Sequence, residues 1–242
     1  MAMRRAIISG ASRGIGAAIA QVLAAEGVRV VIGYREQRDR AATVVDTIRA
    51  SGGDASIAQF DVADSDSVAS ALTNLDHQTD PFDIVVNNAA VLRDSLFPSM
   101  PRADWRLVLD TVLDGFFNLT QPLVLPMVRR RWGRIINIVS PSGLVGNRGQ
   151  VNYSAAKGGL VAATKSLARE VAARGVTVNA VCPGLIQTDM LDSFDSESMQ
   201  KRIALGRVGD PREVAQAVRF LTSDDARYIT GVVLRVDGGL SL

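Results

Sequence analysis

The sequence predicts one α/β domain over residues 1–242, a doubly wound parallel sheet of about seven strands with helices on both faces. Three observations predict it. Short β-branched runs alternate with longer helical patterns along the whole chain, the pattern that parallel βαβ units require. A glycine-rich turn links the first strand run to the first helical run. Apolar residues make up 47% and charged residues 21%, a balance that supplies a large core and argues against disorder.

Each element follows from its own pattern. Ala6–Ile8 reads as the first strand and the alanine-rich Ile15–Ala25 as a helix. Val28–Ile32 is a second strand, followed by a polar helix from about Asp39 to Ala50. Ser56–Phe60 is a third strand, Ser67–Leu75 a helix and Ile84–Val86 a fourth strand. A long helical region runs from about Ala103 to Arg131, where Pro122 and Pro126 predict a kink or a break. Arg134–Val139 is a fifth strand, Tyr153–Arg174 a helix and Val176–Val181 a sixth strand. Pro211–Leu221 is a helix and Val232–Val236 the last strand. Residues 189–205 have weak periodicity and several serines and acids, so they read as a lid over a site.

Composition excludes several classes of function. A single cysteine, Cys182, cannot build a disulfide framework, and one histidine, His77, leaves no plausible zinc site. A net charge of +2 is too mild for a nucleic-acid partner. The apolar run after Arg4 and Arg5 is too short for a signal peptide, and no stretch approaches the roughly 18 apolar residues of a membrane span. The expectation is a soluble cytoplasmic protein that binds neither membrane nor metal.

The turn Ser9-Gly10-Ala11-Ser12-Arg13-Gly14-Ile15-Gly16 lies between strand and helix. Glycine lets backbone approach a pyrophosphate closely, and the helix starting near Ile15 offers free N–H groups to that anion. The second strand ends Gly33-Tyr34-Arg35, with no acid at its tip. An acid there would favour NAD; Arg13 and Arg35 instead suit the extra phosphate of NADPH. Asp61-Val62 and Asn87-Asn88-Ala89-Ala90 follow the third and fourth strands, at the ends where such sheets bind ligands. Tyr153 and Lys157 are four apart and share a helix face, so a cation would lower the phenol's pKa and make it a proton donor. Ser140 ends the fifth strand, where its hydroxyl reaches the same carbonyl oxygen.

These motifs together resemble the short-chain dehydrogenase/reductase family, whose members are single Rossmann-type domains. The matching stretches are the Gly10/Gly14/Gly16 loop, Asn87-Asn88-Ala89, Ser140, Tyr153-Ser-Ala-Ala-Lys157 and Pro183-Gly184-Leu-Ile186-Gln-Thr188. The resemblance implies that Tyr153 is the acid/base, Lys157 binds the nicotinamide ribose and Ser140 orients the substrate. It also implies that Pro183, Gly184, Ile186 and Thr188 hold the cofactor. Within the family, Gly146-Asn-Arg-Gly-Gln-Val-Asn-Tyr153, Gly206-Arg-Val-Gly209, Tyr228-Ile-Thr-Gly231 and Asp237-Gly-Gly239 resemble bacterial 3-oxoacyl-[acyl-carrier-protein] reductases. That likeness implies NADPH as cofactor, a homotetramer, and an acidic acyl-carrier protein docking at Arg131 and Arg174. Apolar Leu96-Phe97-Pro98, Met190, Leu191, Phe194 and Met199 are candidates for an acyl channel.

Three positions depart from the family pattern. Asp110-Thr111-Val112-Leu113 carries valine where a water-anchoring asparagine is usual, Ser9 stands for threonine and Ala90 for glycine. Two other readings therefore stay open: a dehydrogenase of a free small alcohol, sugar or cyclic ketone, and a weakly catalytic NADP(H)-binding subunit.

Overall fold

The computed structural model describes residues 3–189 and 202–241. Within them, β1 (Arg5–Ile8) leads through the glycine loop into α1 (Gly14–Ala25). Then come β2 (Arg29–Tyr34), α2 (Arg38–Ala50), β3 (Ala55–Gln59), α3 (Ser65–Asn74) and β4 (Ile84–Asn87). The expected long helical region divides into α4 (Arg102–Leu109), a π-helical turn (Asp110–Asp114) and α5 (Gly115–Arg130). β5 (Gly133–Ile138), a short α6 (Ser142–Val145), α7 (Val151–Val171) and β6 (Val176–Pro183) follow, then α8 (Pro211–Thr222) and β7 (Val233–Val236).

All six strand pairings are parallel, in the order β3-β2-β1-β4-β5-β6-β7. The order reverses direction beside β1 and β4, which opens a crevice at their carboxyl ends. The central strands are buried on both faces, and their sequences RAII, IVVN and GRIINI are therefore apolar runs rather than alternating ones. One apolar cluster lies on the side of α1, α2 and α8, including Ile8, Ile19, Leu23, Val86 and Val218. The other lies under α3, α5 and α7, including Ile7, Leu72, Leu119, Leu123 and Ile135. Among the described residues no helix is long and apolar enough to cross a membrane.

Two expectations need correction. The prolines do not break the helix, since α5 runs through Pro122 and Pro126. Leu119, Leu123 and Met127 are buried on one face of α5 and pack into the second cluster. Both prolines sit on the half-exposed side, where carbonyls left without a partner face water. The irregularity lies instead at Asp110–Asp114, where the Gly115 N–H reaches back to the Asp110 carbonyl. Second, β2 runs from Arg29 to Tyr34 rather than from Val28 to Ile32, so Arg35 follows the strand tip as the reading of Gly33-Tyr34-Arg35 expects.

Candidate active site

A cavity of about 460 Å³ opens along the carboxyl ends of the sheet. Gly10, Ser12, Arg13, Gly14, Ile15 and Arg35 line one end, with Asp61, Val62, Asn88 and Ala89 beside them. Ser140, Tyr153, Lys157, Pro183, Gly184, Ile186 and Thr188 line the other. Every expected catalytic or cofactor residue but Gly16 is brought to this one cavity.

Gly16 acts behind it. A Cβ on Gly16 would lie 2.6 Å from the Asn88 amide nitrogen and 2.6 Å from the Gly10 carbonyl. Asn88 in turn donates to the carbonyls of Ser9 (3.0 Å) and Gly10 (2.9 Å), so its side chain shapes the glycine loop. Gly10 has φ +62°, and a Cβ there would meet the Ala89 backbone at 2.9 Å. Ser9 keeps a hydroxyl at its position and accepts from the Asn88 and Ala89 N–H groups at 3.0 and 3.1 Å.

The loop fits a dinucleotide. No side chain caps α1, and its first turn carries no acid, so its first N–H groups are free to meet an anion. The arginines are already engaged. Arg35 pairs with Glu36 at 2.7 Å and lies 3.7 Å from Asp61, while Arg13 pairs with Asp189 at 3.1 Å. Asp189 also meets Arg40 at 2.7 Å. A cofactor phosphate would replace carboxylates rather than meet bare guanidinium groups.

At the other end, β5 delivers Ser140 and the first turns of α7 deliver Tyr153 and Lys157. The Tyr153 phenol faces the Ser140 hydroxyl across the cavity wall. Lys157 is 2% exposed and donates to the Ile138 carbonyl at 2.6 Å, with its Nζ 5.6 Å from the Tyr153 ring centroid. Burial lowers the ammonium to about 8, with the neighbouring Cys182 opposing. Burial also pushes the Tyr153 phenol up to about 12; the Ser140 hydroxyl pulls it down, and Asp94 and Cys182 push it further up. The expected lowering by lysine is thus overridden by desolvation. Tyr153 is a protonated phenol at neutral pH, and Lys157 is mostly charged.

Val112 is 3% exposed and packs with Val108, Val139, Ala156, Leu160 and Cys182. Its neighbour Thr111 lines the cavity instead and donates to the Leu107 carbonyl at 2.7 Å. Sequence reasoning also missed Asn147 and Gln150, which line the cavity; single polar residues in a turn carry no signal of what they face. Leu96 and Phe97 are exposed and do not line the cavity. Met190, Leu191, Phe194, Met199 and most of the expected lid lie outside the described residues.

Arg131 and Arg174 are exposed and sit elsewhere. Arg131 caps α5 just before β5 begins, and Arg174 ends the turn before β6. They lie at the amino edge of the sheet, and the cavity lies at the carboxyl edge. Six residues of β5 separate the two edges, or about 20 Å.

A doubly wound sheet with a glycine loop at its switch point and a Ser/Tyr/Lys cluster beside it defines a Rossmann-type oxidoreductase. Residues 10–241 match the family model described as enoyl-(acyl carrier protein) reductase. Curated relatives named 3-oxoacyl-[acyl-carrier-protein] reductase cover nearly the whole chain. That of Aggregatibacter actinomycetemcomitans is 48% identical over 236 residues, 97% of this chain and 98% of that protein. That of Synechocystis sp. is 46% identical over 236 residues, 97% and 96% respectively, and that of Staphylococcus aureus 45% over 240 residues, 98% of each. The chain belongs to the short-chain dehydrogenase/reductase family.

Proposed function

We propose that the protein reduces a 3-oxoacyl thioester on an acyl-carrier protein to the 3-hydroxyacyl thioester, with NADPH as reductant, in the cytoplasm. The observation that carries this reading is the Tyr153–Ser140 hydroxyl pair beside buried Lys157, in the same cavity as the glycine loop. Two hydroxyls meeting at one point suit a single oxygen on the reacting carbon. A ketone presents that oxygen, whereas the carbon–carbon double bond implied by the family description does not. The names of the relatives point the same way.

The glycine loop and the N-terminus of α1 would hold the pyrophosphate, Arg13 and Arg35 the added phosphate, and Lys157 the nicotinamide ribose. Bound NADPH supplies the hydride that adds to the carbonyl carbon. Ser140 and Tyr153 donate hydrogen bonds to the ketone oxygen. As that oxygen gains negative charge, the Tyr153 proton moves onto it and the alcohol forms. The Lys157 ammonium offsets the tyrosinate left behind, and a solvent proton restores the phenol. Val112 opens no gap in this arrangement, because it faces apolar core.

Docking of an acidic carrier at Arg131 and Arg174 fits an oligomer best. A carrier held at the amino edge of one protomer serves the cavity of a neighbour. Phe117 and Leu125, eight apart on α5, are exposed, as are Phe220, Val232 and the fully exposed Tyr228. Such apolar surface favours a homo-oligomer, a tetramer in this reading.

Steady-state assay with acetoacetyl thioester, free and carrier-bound, tests the function. Wild type turns over with NADPH, and Tyr153→Phe loses about 10²-fold or more while still binding NADPH. Retention of more than about a tenth of kcat in Tyr153→Phe would overturn the assignment.

A further inference from the structure

Gln150 is the N-cap residue of α7, yet its side chain makes no capping bond. It is 5% exposed and turned into the cavity wall. Its amide nitrogen donates to Asp94 Oδ2 at 2.8 Å. Its amide oxygen accepts from Ser142 Oγ at 2.8 Å and from Asn147 Nδ2 at 3.0 Å. The Ser142 N–H donates to Ser140 Oγ at 3.3 Å, and the Ser140 hydroxyl faces Tyr153. Two backbone ties flank this row. The Ser95 N–H donates to the Gly149 carbonyl at 2.9 Å, and Asn152 Nδ2 donates to the Arg93 carbonyl at 2.9 Å. The loop after β4 is thus clasped to the loop before α7.

We infer that Asp94 and Gln150 are positioning residues, which fix the Ser142–Ser140 wall of the cavity against Tyr153. The inference rests on Tyr153 being the proton donor. The Asp94 carboxylate only accepts, so the Gln150 amide must turn its nitrogen to Asp94 and its oxygen to Ser142 and Asn147. Asp94 therefore dictates which way Gln150 faces, and Gln150 dictates where the Ser142 hydroxyl points. Asp94 also acts by charge. The groups facing Tyr153 are Ser140 after β5, Cys182 on β6, Asp94 after β4 and Lys157 on α7 itself. Burial is the largest cause of the raised phenol, and the carboxylate of Asp94 adds to it. A negative charge on that side resists tyrosinate, so it raises the pH at which the phenol gives up its proton.

The test compares Asp94→Ala with Asp94→Asn in the full-length enzyme. Ketone reduction and NADP+-dependent oxidation of the 3-hydroxyacyl thioester are followed across pH. Asparagine keeps an acceptor for Gln150 but removes the charge. Asp94→Ala is expected to lose about fivefold or more in kcat with KM for NADPH held, and Asp94→Asn to recover much of that loss. In Asp94→Asn the acid limb of the oxidation profile moves to lower pH by a few tenths of a unit or more. The inference is overturned if Asp94→Ala keeps kcat within about twofold of wild type. It is overturned equally if both variants lose the same activity with no movement of the limb, which marks a merely structural role. Should wild type itself reduce no thioester, the proposed function falls and amide exchange of residues 140–152 decides the clasp. Faster exchange in Asp94→Ala than in Asp94→Asn sustains it, and equal exchange overturns it.

Discussion

Replacing Lys157 with methionine should make the protein more stable and inactive. The buried ammonium titrates near 8 instead of 10.5, chiefly through desolvation. At about 1.4 kcal/mol per pKa unit, carrying that charge into the fold costs about 3 kcal/mol at pH 7. Methionine has a similar length and no charge. It forfeits the 2.6 Å bond to the Ile138 carbonyl, worth about 1 kcal/mol. The net expectation is about 2 kcal/mol of added stability. The pH dependence follows from the direction of the shift. Between pH 8 and 10.5 the unfolded lysine binds a proton that the folded one has released, so wild-type stability rises with pH through that window. The advantage of the variant is full below about 8 and fades towards 10.5. The raised phenol of Tyr153 acts only above pH 10 and is common to both proteins. Denaturant unfolding at fixed protein concentration, from pH 7 to 10.5, reads the gap, and a thioester assay reads activity. A variant less stable than wild type at pH 7, or a gap that does not change with pH, refutes the reasoning.

Three more outcomes are expected. Val112→Asn buries an amide among Val108, Val139 and Leu160, so it should cost about 1–3 kcal/mol in stability without raising kcat; a faster enzyme of equal stability would show that a water relay wants the amide. Arg35→Ala should cut the NADPH-to-NADH ratio of kcat/KM about tenfold, since one charge-assisted phosphate bond is lost against partial competition from Glu36; an unmoved ratio removes Arg35 from the phosphate site. Arg131→Glu with Arg174→Glu should lower kcat/KM on carrier-bound substrate at low salt and spare a free thioester, and parallel loss on both would assign the arginines to folding.

What the sequence made legible was local in origin. The runs that became β1, β4 and β5 stand out because strands buried on both faces must be apolar throughout. Gly10, Tyr153, Lys157 and Ser140 were found because loop and helix spacing brings each to a predictable end of the sheet. The misses depended on distant partners. The clasp joins Asp94 to Gln150, 56 residues apart, and neither is unusual where it stands. Pro122 and Pro126 misled because a local rule was outweighed by the packing of Leu119, Leu123 and Met127. The phenol was expected to be lowered by Lys157, but sequence spacing says nothing of desolvation, which raised the phenol and lowered the ammonium beside it.

Arg131 and Arg174 are separated from the cavity by the length of the sheet, and their proposed use as a docking site divides labour between chains. Under the docking proposed here, one protomer receives the cargo and another transforms it. Dilution that parts the protomers then silences the enzyme towards cargo on its carrier while a free thioester is still reduced. In a mixed assembly, a chain defective in receiving and a chain defective in chemistry each lend the other what it lacks, so two broken enzymes together make a partly working one.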